Sequence, residues 1–273
     1  MSQSVRAVER ALDILLCFTM ETPTLSLTEI AEQVGMHKST IHRLLATLES
    51  KRFITRDKAT GMYQLGFLLF ELASVMLHDL DIQRWALPYL QQLSLQSEET
   101  ADLAILDNGH VVYLQVVESS QRVKIAAAVG EQLPAYCTAT GKAFLAYFPE
   151  AQVRKMLAHG MTKYTENTIV SEEDFFKNLG EIRERGFSIS EQEYEKDINA
   201  VAAPIMDANG CPIAVIAIVG PSYRMSHDRM LMLGQLIRET ADTIAQEVGM
   251  AALPLILPKS TTPCVEEKIN SEV

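Results

Sequence analysis

Ser26 to Ile54, SLTEIAEQVGMHKSTIHRLLATLESKRFI, decides how the first part of this chain folds. Ser26 stands where a hydroxyl caps the amide of Glu29, Glu29 can reach back to Ser26, and Leu25 and Ile30 hold the two positions of a hydrophobic staple. Ile30, Ala31 and Val34 then give the apolar stripe of a short helix, and Gly35 supplies a tight turn. In the next helix Ile41, Leu44, Leu45 and Leu48 recur at helical spacing, which leaves Lys38, Ser39, Thr40, His42 and Arg43 on the opposite face. Two helices joined by so short a turn read as a helix-turn-helix.

The exposed face has the chemistry of a nucleic-acid reader. Arg43 carries the fork that fits guanine edges or phosphate, Ser39 and Thr40 can donate to phosphate or base, and Lys38 adds charge near the helix start. Lys51 to Leu65 follows as two short strands around an Asp/Lys/Gly turn, a wing whose Arg56 and Lys58 suit the phosphate backbone. The bland alternative is a helical hairpin with a solvated basic face.

Charge supports double-stranded DNA as a partner. Residues 1–80 hold 8 Lys and Arg against 9 Asp and Glu, yet Gly35 to Lys58 holds 6 against 2, a local charge of +4. Residues 81–273 hold 16 against 26, and the whole chain carries −11. Repulsion from the acidic part opposes indiscriminate polyanion binding, so binding is expected to be site-selective, salt-sensitive and helped by a second copy reading a second half-site.

At 273 residues and 48% hydrophobic content the chain can bury about two cores. No apolar run approaches the ~20 residues that cross a bilayer. MSQSVRAVERALDILLCF reads as an amphipathic helix with Val8, Ala11, Leu12, Leu15 and Phe18 inward, not as a signal peptide, so the expected location is cytoplasmic. Cys17, Cys137, Cys211 and Cys264 are far apart and lack zinc spacing; neither a metal, a cofactor nor a disulfide framework is expected. The histidines, at 37, 42, 78, 110, 159 and 227, assemble no catalytic constellation, and the chain reads as no enzyme.

Leu65, Leu68, Leu69, Leu72, Met76 and Leu77 make a helix that is apolar on more than one side, closed by Asp79 to Asp81, and it reads as a linker packing against its own copy. The bland alternative is packing within the chain. A further helix carries Trp85, Leu87, Leu90 and Leu93, with Pro88 either starting or kinking it. Strands are expected at Ala101 to Leu106 and, after the Asp107, Asn108, Gly109 turn, at Val111 to Val117, then at Val123 to Val129, and at Val201 to Met206 and Ile213 to Val219 on either side of the Asp207, Ala208, Asn209, Gly210 turn. Helices are expected at about 140–147, 150–159, 171–185 and 228–248. The fold class is therefore α+β: a winged helix-turn-helix at 4–65, a linker helix at 66–81, a mostly antiparallel sheet flanked by helices at 82–250, and a disordered tail at 251–273.

These elements, with LPAYCTATGKAFLAY at Leu133 to Tyr147 and RGFSISEQEYEKDINAVAAPIMDANGCPIAVIAIVGP at Arg185 to Pro221, resemble the IclR family of bacterial transcriptional regulators across about residues 4–250. The resemblance implies a GAF-like effector-binding domain, homodimers or dimers of dimers, and control of a catabolic operon, as a repressor, by a small organic or aromatic acid. Thr138 to Lys142 lies between a strand and a helix, where backbone amides and the positive helix end favour an anion; it lacks the first glycine and the Ser or Thr of a phosphate loop. Its alternative is a small-residue helix start needed for close packing, with Lys142 paired structurally.

By the family pattern the effector contacts fall at Leu133, Ala139, Thr140, Gly141, Ser190, Ile198, Ala200, Ala217 and Val219. Ala217 and Val219 replace hydroxyls and Ser190 an acidic residue, which suggests a larger or more apolar acid, and Asp197 stands where the family has glycine. Two other readings compete: a constitutive dimeric DNA-binding protein without effector, and redox sensing through Cys137.

Overall fold

The computed structural model describes residues 5–19, 21–78, 82–125, 127–158 and 160–250, the side chains of 74–78 and 249–250 excepted. Asp79 to Asp81, His159, Cys264 and the expected tail at 251–273 lie outside them. The chain divides into two compact units, Met1–Asp79 and Leu80–Val273.

The first unit contains α1 (Arg6–Leu16), β1 (Thr24–Leu25), α2 (Leu27–Val34), α3 (Lys38–Ser50), β2 (Ile54–Arg56), β3 (Tyr63–Leu65) and α4 (Phe67–His78). The Ser26 hydroxyl accepts from the Glu29 amide at 3.2 Å and the Glu29 carboxylate accepts from the Ser26 amide at 2.7 Å, so the capping box starts α2. Gly35 ends α2 with φ +67°, a conformation that costs a glycine nothing. Leu25, Ile30, Ile41, Leu45 and Leu48 close one core with Ile54 and Tyr63 of the wing. The three-stranded sheet β1-β3-β2 pins the wing, whose turn is fixed by Asp57 accepting from the amides of Ala59 and Thr60.

On α1 the expected inward set needs correction. Ile14 is fully buried, whereas Val8 and Leu12 are about half exposed. The helix has two apolar faces, and the one through Ile14 and Phe18 meets the core. Val5, Val8, Leu12 and Leu16 form the other.

The second unit runs α5 (Ile82–Ser97), β4 (Thr100–Asp107), β5 (His110–Val117), β6 (Gln132–Pro134), a short 3-10 turn (Ala135–Cys137), α6 (Ala139–Leu145), α7 (Glu150–Met156), α8 (Glu172–Arg185), β7 (Ser188–Glu191), β8 (Ile198–Met206), β9 (Pro212–Pro221) and α9 (His227–Met250). Pro88 lies inside α5, which continues through it. The six strands are antiparallel in the order β6-β5-β4-β9-β8-β7. Asn108 and Gly109, at φ +47° and +81°, make the tight hairpin turn between β4 and β5. Asp207 accepts from the amides of Asn209 and Cys211 and so fixes the turn between β8 and β9.

Two strand expectations are corrected. Residues 123–125 and 127–129 pair with no strand; Val123 and Val129 are exposed, and the edge of β5 is taken instead by β6 at His110 to Val112. Ser188–Glu191, where no strand was expected, is β7, and β8 opens at Ile198, ahead of the expected Val201. Asp197 takes the left-handed backbone in the family's glycine position, at φ +64°, with its amide donating to Gln192 Oε1 and its carbonyl accepting from Ser222.

Helices α6 and α8 pack on one face of the sheet, over Ala104, Tyr113, Ala202, Val215 and Ala217. Gly141 of α6 is forced by this packing: an added Cβ would lie 2.1 Å from the Ala135 carbonyl oxygen and 2.2 Å from its Cα. Gly141→Ala should therefore destabilise the second unit by about 3 kcal/mol through overpacking, read as a lower urea midpoint; an unchanged midpoint would show that the helix does not sit this close.

Candidate functional site

The first candidate surface is the outer face of α3. Its start is uncapped by any side chain, and Lys38, Ser39, His42 and Arg43 are exposed while Thr40 is half-buried. Among the described residues no hydrogen bond or ion pair within the chain engages the side chains of Lys38, His42 or Arg43. They are free to donate outward. In the wing Lys58 is exposed, and Arg56 donates from Nε to the Gly61 carbonyl at 3.1 Å with its guanidinium 5.3 Å from the Tyr63 ring centre. That bond uses only the Nε of Arg56, so the terminal nitrogens remain available as donors. Arg52, by contrast, is tied to Glu71 at 2.5 Å.

The second candidate is a cavity of about 140 Å³ between the sheet and the start of α6. Leu133, Ala139, Thr140, Ser190, Ile198, Ala200, Ala217 and Val219 all line it. Gly141 does not, which corrects its place among the contacts: its amide donates to the capping Thr138 hydroxyl at 3.1 Å and its α-carbon faces Ala135. The cavity exists because β8 and β9 present small side chains, with Ala200 opposite Val219 and Ala202 opposite Ala217.

Lys142, behind this wall, is 1% exposed and donates to Glu193 Oε1 at 2.5 Å and to the Ile189 carbonyl at 2.9 Å. Burial pulls its ammonium down and pushes the Glu193 carboxyl up, while their contact opposes both shifts. The lysine is therefore a structural partner and not a cavity group.

Several lining residues escape sequence reasoning: Asp102, Tyr113, Ile125, Ala127, Glu131, Tyr194 and Glu195. Asp102 had a signal, a lone carboxylate in the apolar strand ADLAIL. It lies opposite Ala217 on β9, is 2% exposed, and its Oδ1 has no hydrogen-bond partner. Burial pushes its carboxyl up to about 7. Tyr113 bonds to the Thr140 side chain and is held well above the usual phenol range by burial and then by the Asp102 charge. The thiol of Cys137 is pushed up to about 12, chiefly by burial, so it stays protonated and is a poor nucleophile for redox sensing. No cluster of potential metal ligands occurs among the described residues, and no described helix is long and apolar enough to cross a membrane.

Comparison with known proteins joins the two surfaces in one family. The IclR helix-turn-helix domain matches residues 7–58, and the family described as bacterial transcriptional regulator IclR C-terminal matches residues 74–246. The HTH-type transcriptional repressor AllR of Escherichia coli (strain K12) is 29% identical over 253 residues, which is 92% of this chain and 93% of that protein. A crystallised transcriptional regulator from Alicyclobacillus acidocaldarius is 32% identical with a TM-score of 0.76, over 89% of this chain and 98% of its own. An IclR homologue from Microbacterium hydrocarbonoxydans, solved with 4-hydroxybenzoate, shares the fold at 20% identity and a TM-score of 0.78, over 88% of this chain and 99% of its own. A capped helix-turn-helix with a bare basic face, and a second unit whose sheet and helices enclose a cavity, are what these matches span: the chain belongs to the IclR family of bacterial transcriptional regulators.

Proposed function

We propose that this chain is a homodimeric repressor that reads an operator with α3 and answers to a small molecule held in the cavity of its second unit. The observation that carries the reading is the outer face of α3, whose Lys38, His42 and Arg43 side chains have no partner within the described chain. Lys38, Ser39, Thr40, His42 and Arg43 enter the major groove, and Arg56 and Lys58 of the wing lie on phosphate. The relative AllR is named a repressor, which favours that sign of control. The regulated genes are those of a catabolic operon. We take 4–65 as the reading head, 66–81 as the linker and 82–250 as the effector domain, and we read no catalytic role in the chain.

The dimer is supported by what the first unit leaves exposed. Val5, Val8, Leu12 and Leu16 are each more than half exposed on or beside α1, and Phe67, Phe70 and Leu72 of α4 are similarly open. A stripe of apolar side chains left exposed along a helix, as on α1, favours an interface, and a second copy also supplies the second reading helix that an inverted repeat requires.

Selection of bound duplexes from a random pool should enrich an inverted repeat. On that operator Arg43→Ala should cost about 1 to 3 kcal/mol and relax one base position in each half-site, measured by fluorescence anisotropy at fixed salt; unchanged affinity and preference would mean that α3 is not the reading helix. Leu12→Asp combined with Leu16→Asp should shift the protein toward monomer in sedimentation velocity and weaken operator binding. A dimer of undiminished stability would remove the α1 stripe from the interface.

A further inference from the structure

The polar groups around the cavity are of one sign. Asp102, Glu131 and Glu195 line it, and among the described residues no Lys, Arg or His does. Lys142, the buried lysine nearest in sequence to the lining of α6, is already held by Glu193 and Ile189. The start of α6 offers an anion backbone alone: the helix has seven residues, and the Gly141 amide is taken by Thr138, which leaves the amides of Ala139 and Thr140. The acid expected from family resemblance would thus face carboxylates without a cationic side chain to hold it.

What Asp102 lacks is a donor. Asp102 Oδ1 is buried and unpartnered, and a buried acceptor without a hydrogen bond is costly unless something supplies one. The rings beside it add to the same preference. Tyr113 and Tyr194 line the space, and Tyr194 packs against Tyr164 at 4.9 Å between ring centres. Carboxylates and aromatic faces together favour an organic cation. The volume sets its size, because a cavity of about 140 Å³ is close to one of roughly 150 Å³ that takes a single benzene.

We propose that the effector is a compact organic cation, a protonated amine or amidine on a frame of about one six-membered ring, whose N–H groups donate to Asp102. This rests on the reading of the cavity as the effector site. The pH dependence separates it from an acid. Tyr113 on β5, Cys137 beside the start of α6, Glu131 before β6, and Tyr194 and Glu195 after β7 face Asp102 across the cavity, with the Lys142–Glu193 pair behind them. Burial keeps Tyr113 and the Cys137 thiol neutral, and it pushes the Asp102 carboxyl up to about 7, so Asp102 sets the pH dependence. A cation favours the ionised form: its affinity rises with pH toward about 7 and then levels off. A carboxylate held by protonated Asp102 behaves in the opposite way.

Calorimetry and melting of the full-length protein with benzylamine, benzamidine and cyclohexylamine, against benzyl alcohol and benzoate, across about pH 5 to 8 test this. The amines should bind and stabilise, benzylamine tightening up to about tenfold per pH unit below the Asp102 value, while benzoate should not bind. Asp102→Asn should abolish amine binding, and Glu195→Gln should weaken it about threefold by removing one charge at the mouth. Ligand-free melting gives a second check. A carboxyl raised by burial stabilises the fold fully below its unfolded value of 3.8 and loses that contribution as pH rises through about 7. Asp102→Asn should therefore melt above the parent by a margin that grows from about pH 5 to about pH 7 and then levels off toward about pH 8. Benzoate binding in preference to the amines, amine affinity falling with rising pH, no binding by any amine, or a melting margin that does not grow with pH would each overturn the proposal. Amines that bind with the expected pH sign yet leave operator affinity unchanged would sustain the site and reject the regulatory reading beneath it.

Discussion

The Lys142–Glu193 pair holds together the two pieces of chain that make the cavity possible. Lys142 belongs to α6 and Glu193 to the segment after β7, and the ammonium also takes the Ile189 carbonyl, so one side chain ties the helix to both the strand and the turn beyond it. Thr165 and Thr168 hydroxyls donate to backbone carbonyls of the same segment, at Gln192 and Glu193, and fix it from the other side. Removing one partner of such a buried pair typically costs about 3 to 5 kcal/mol, because the other is left charged and desolvated. Close packing completes the arrangement: Gly141 lets α6 descend onto Ala135, and Ser188 donates to the Ala139 carbonyl at 2.5 Å. The wall is rigid where the pair anchors it, and the lining polar groups keep fixed positions.

Two kinds of charge placement follow. In the first unit the basic side chains of α3 are left unpaired at the surface, where they can exchange water and counterions for phosphate. In the second, one buried carboxylate, Asp102, and two exposed ones, Glu131 and Glu195, border a small space, and the buried Lys142 is used for structure. A buried acceptor without a partner is unusual in a native fold. Its retention in the middle of β4, where an apolar residue would pack at no such cost, is best understood as a binding feature.

Sequence reading succeeded where one local interaction dictates geometry. The capping box, the Gly35 turn, the Asn-Gly hairpin and the Asp207 turn each rest on a few neighbouring residues, and their structures follow from those residues alone. It failed where the partner is distant. Val123 to Val129 alternates like a strand, yet the position beside β5 belongs to β6. Of the α1 residues assigned to the core, Ala11, Leu15 and Phe18 reach it and Val8 and Leu12 do not, because the helix has a second apolar stripe that its own sequence does not distinguish. The positions around the cavity were legible by resemblance; its chemistry was not, since Asp102, Glu131 and Glu195 come from three separate segments that only the fold brings together.

The charge balance also bounds how much a ligand has to do. A chain of net −11 with a local +4 patch binds arbitrary DNA weakly, because the long-range field opposes the short-range attraction. Weak non-specific binding raises the ratio of specific to competing sites without requiring an exceptional operator affinity. Occupancy then lies within reach of a modest coupling, about 1 to 3 kcal/mol or roughly 5- to 150-fold. Such a coupling requires only that the cavity ligand prefer one of two arrangements of the protein, and by reciprocity operator DNA must alter the affinity for that ligand by the same factor. A single donor completing an otherwise unpartnered Asp102 is a source of energy on that scale. The orphaned carboxylate and the bare face of α3 are thus two unsatisfied surfaces, each open to a different kind of partner.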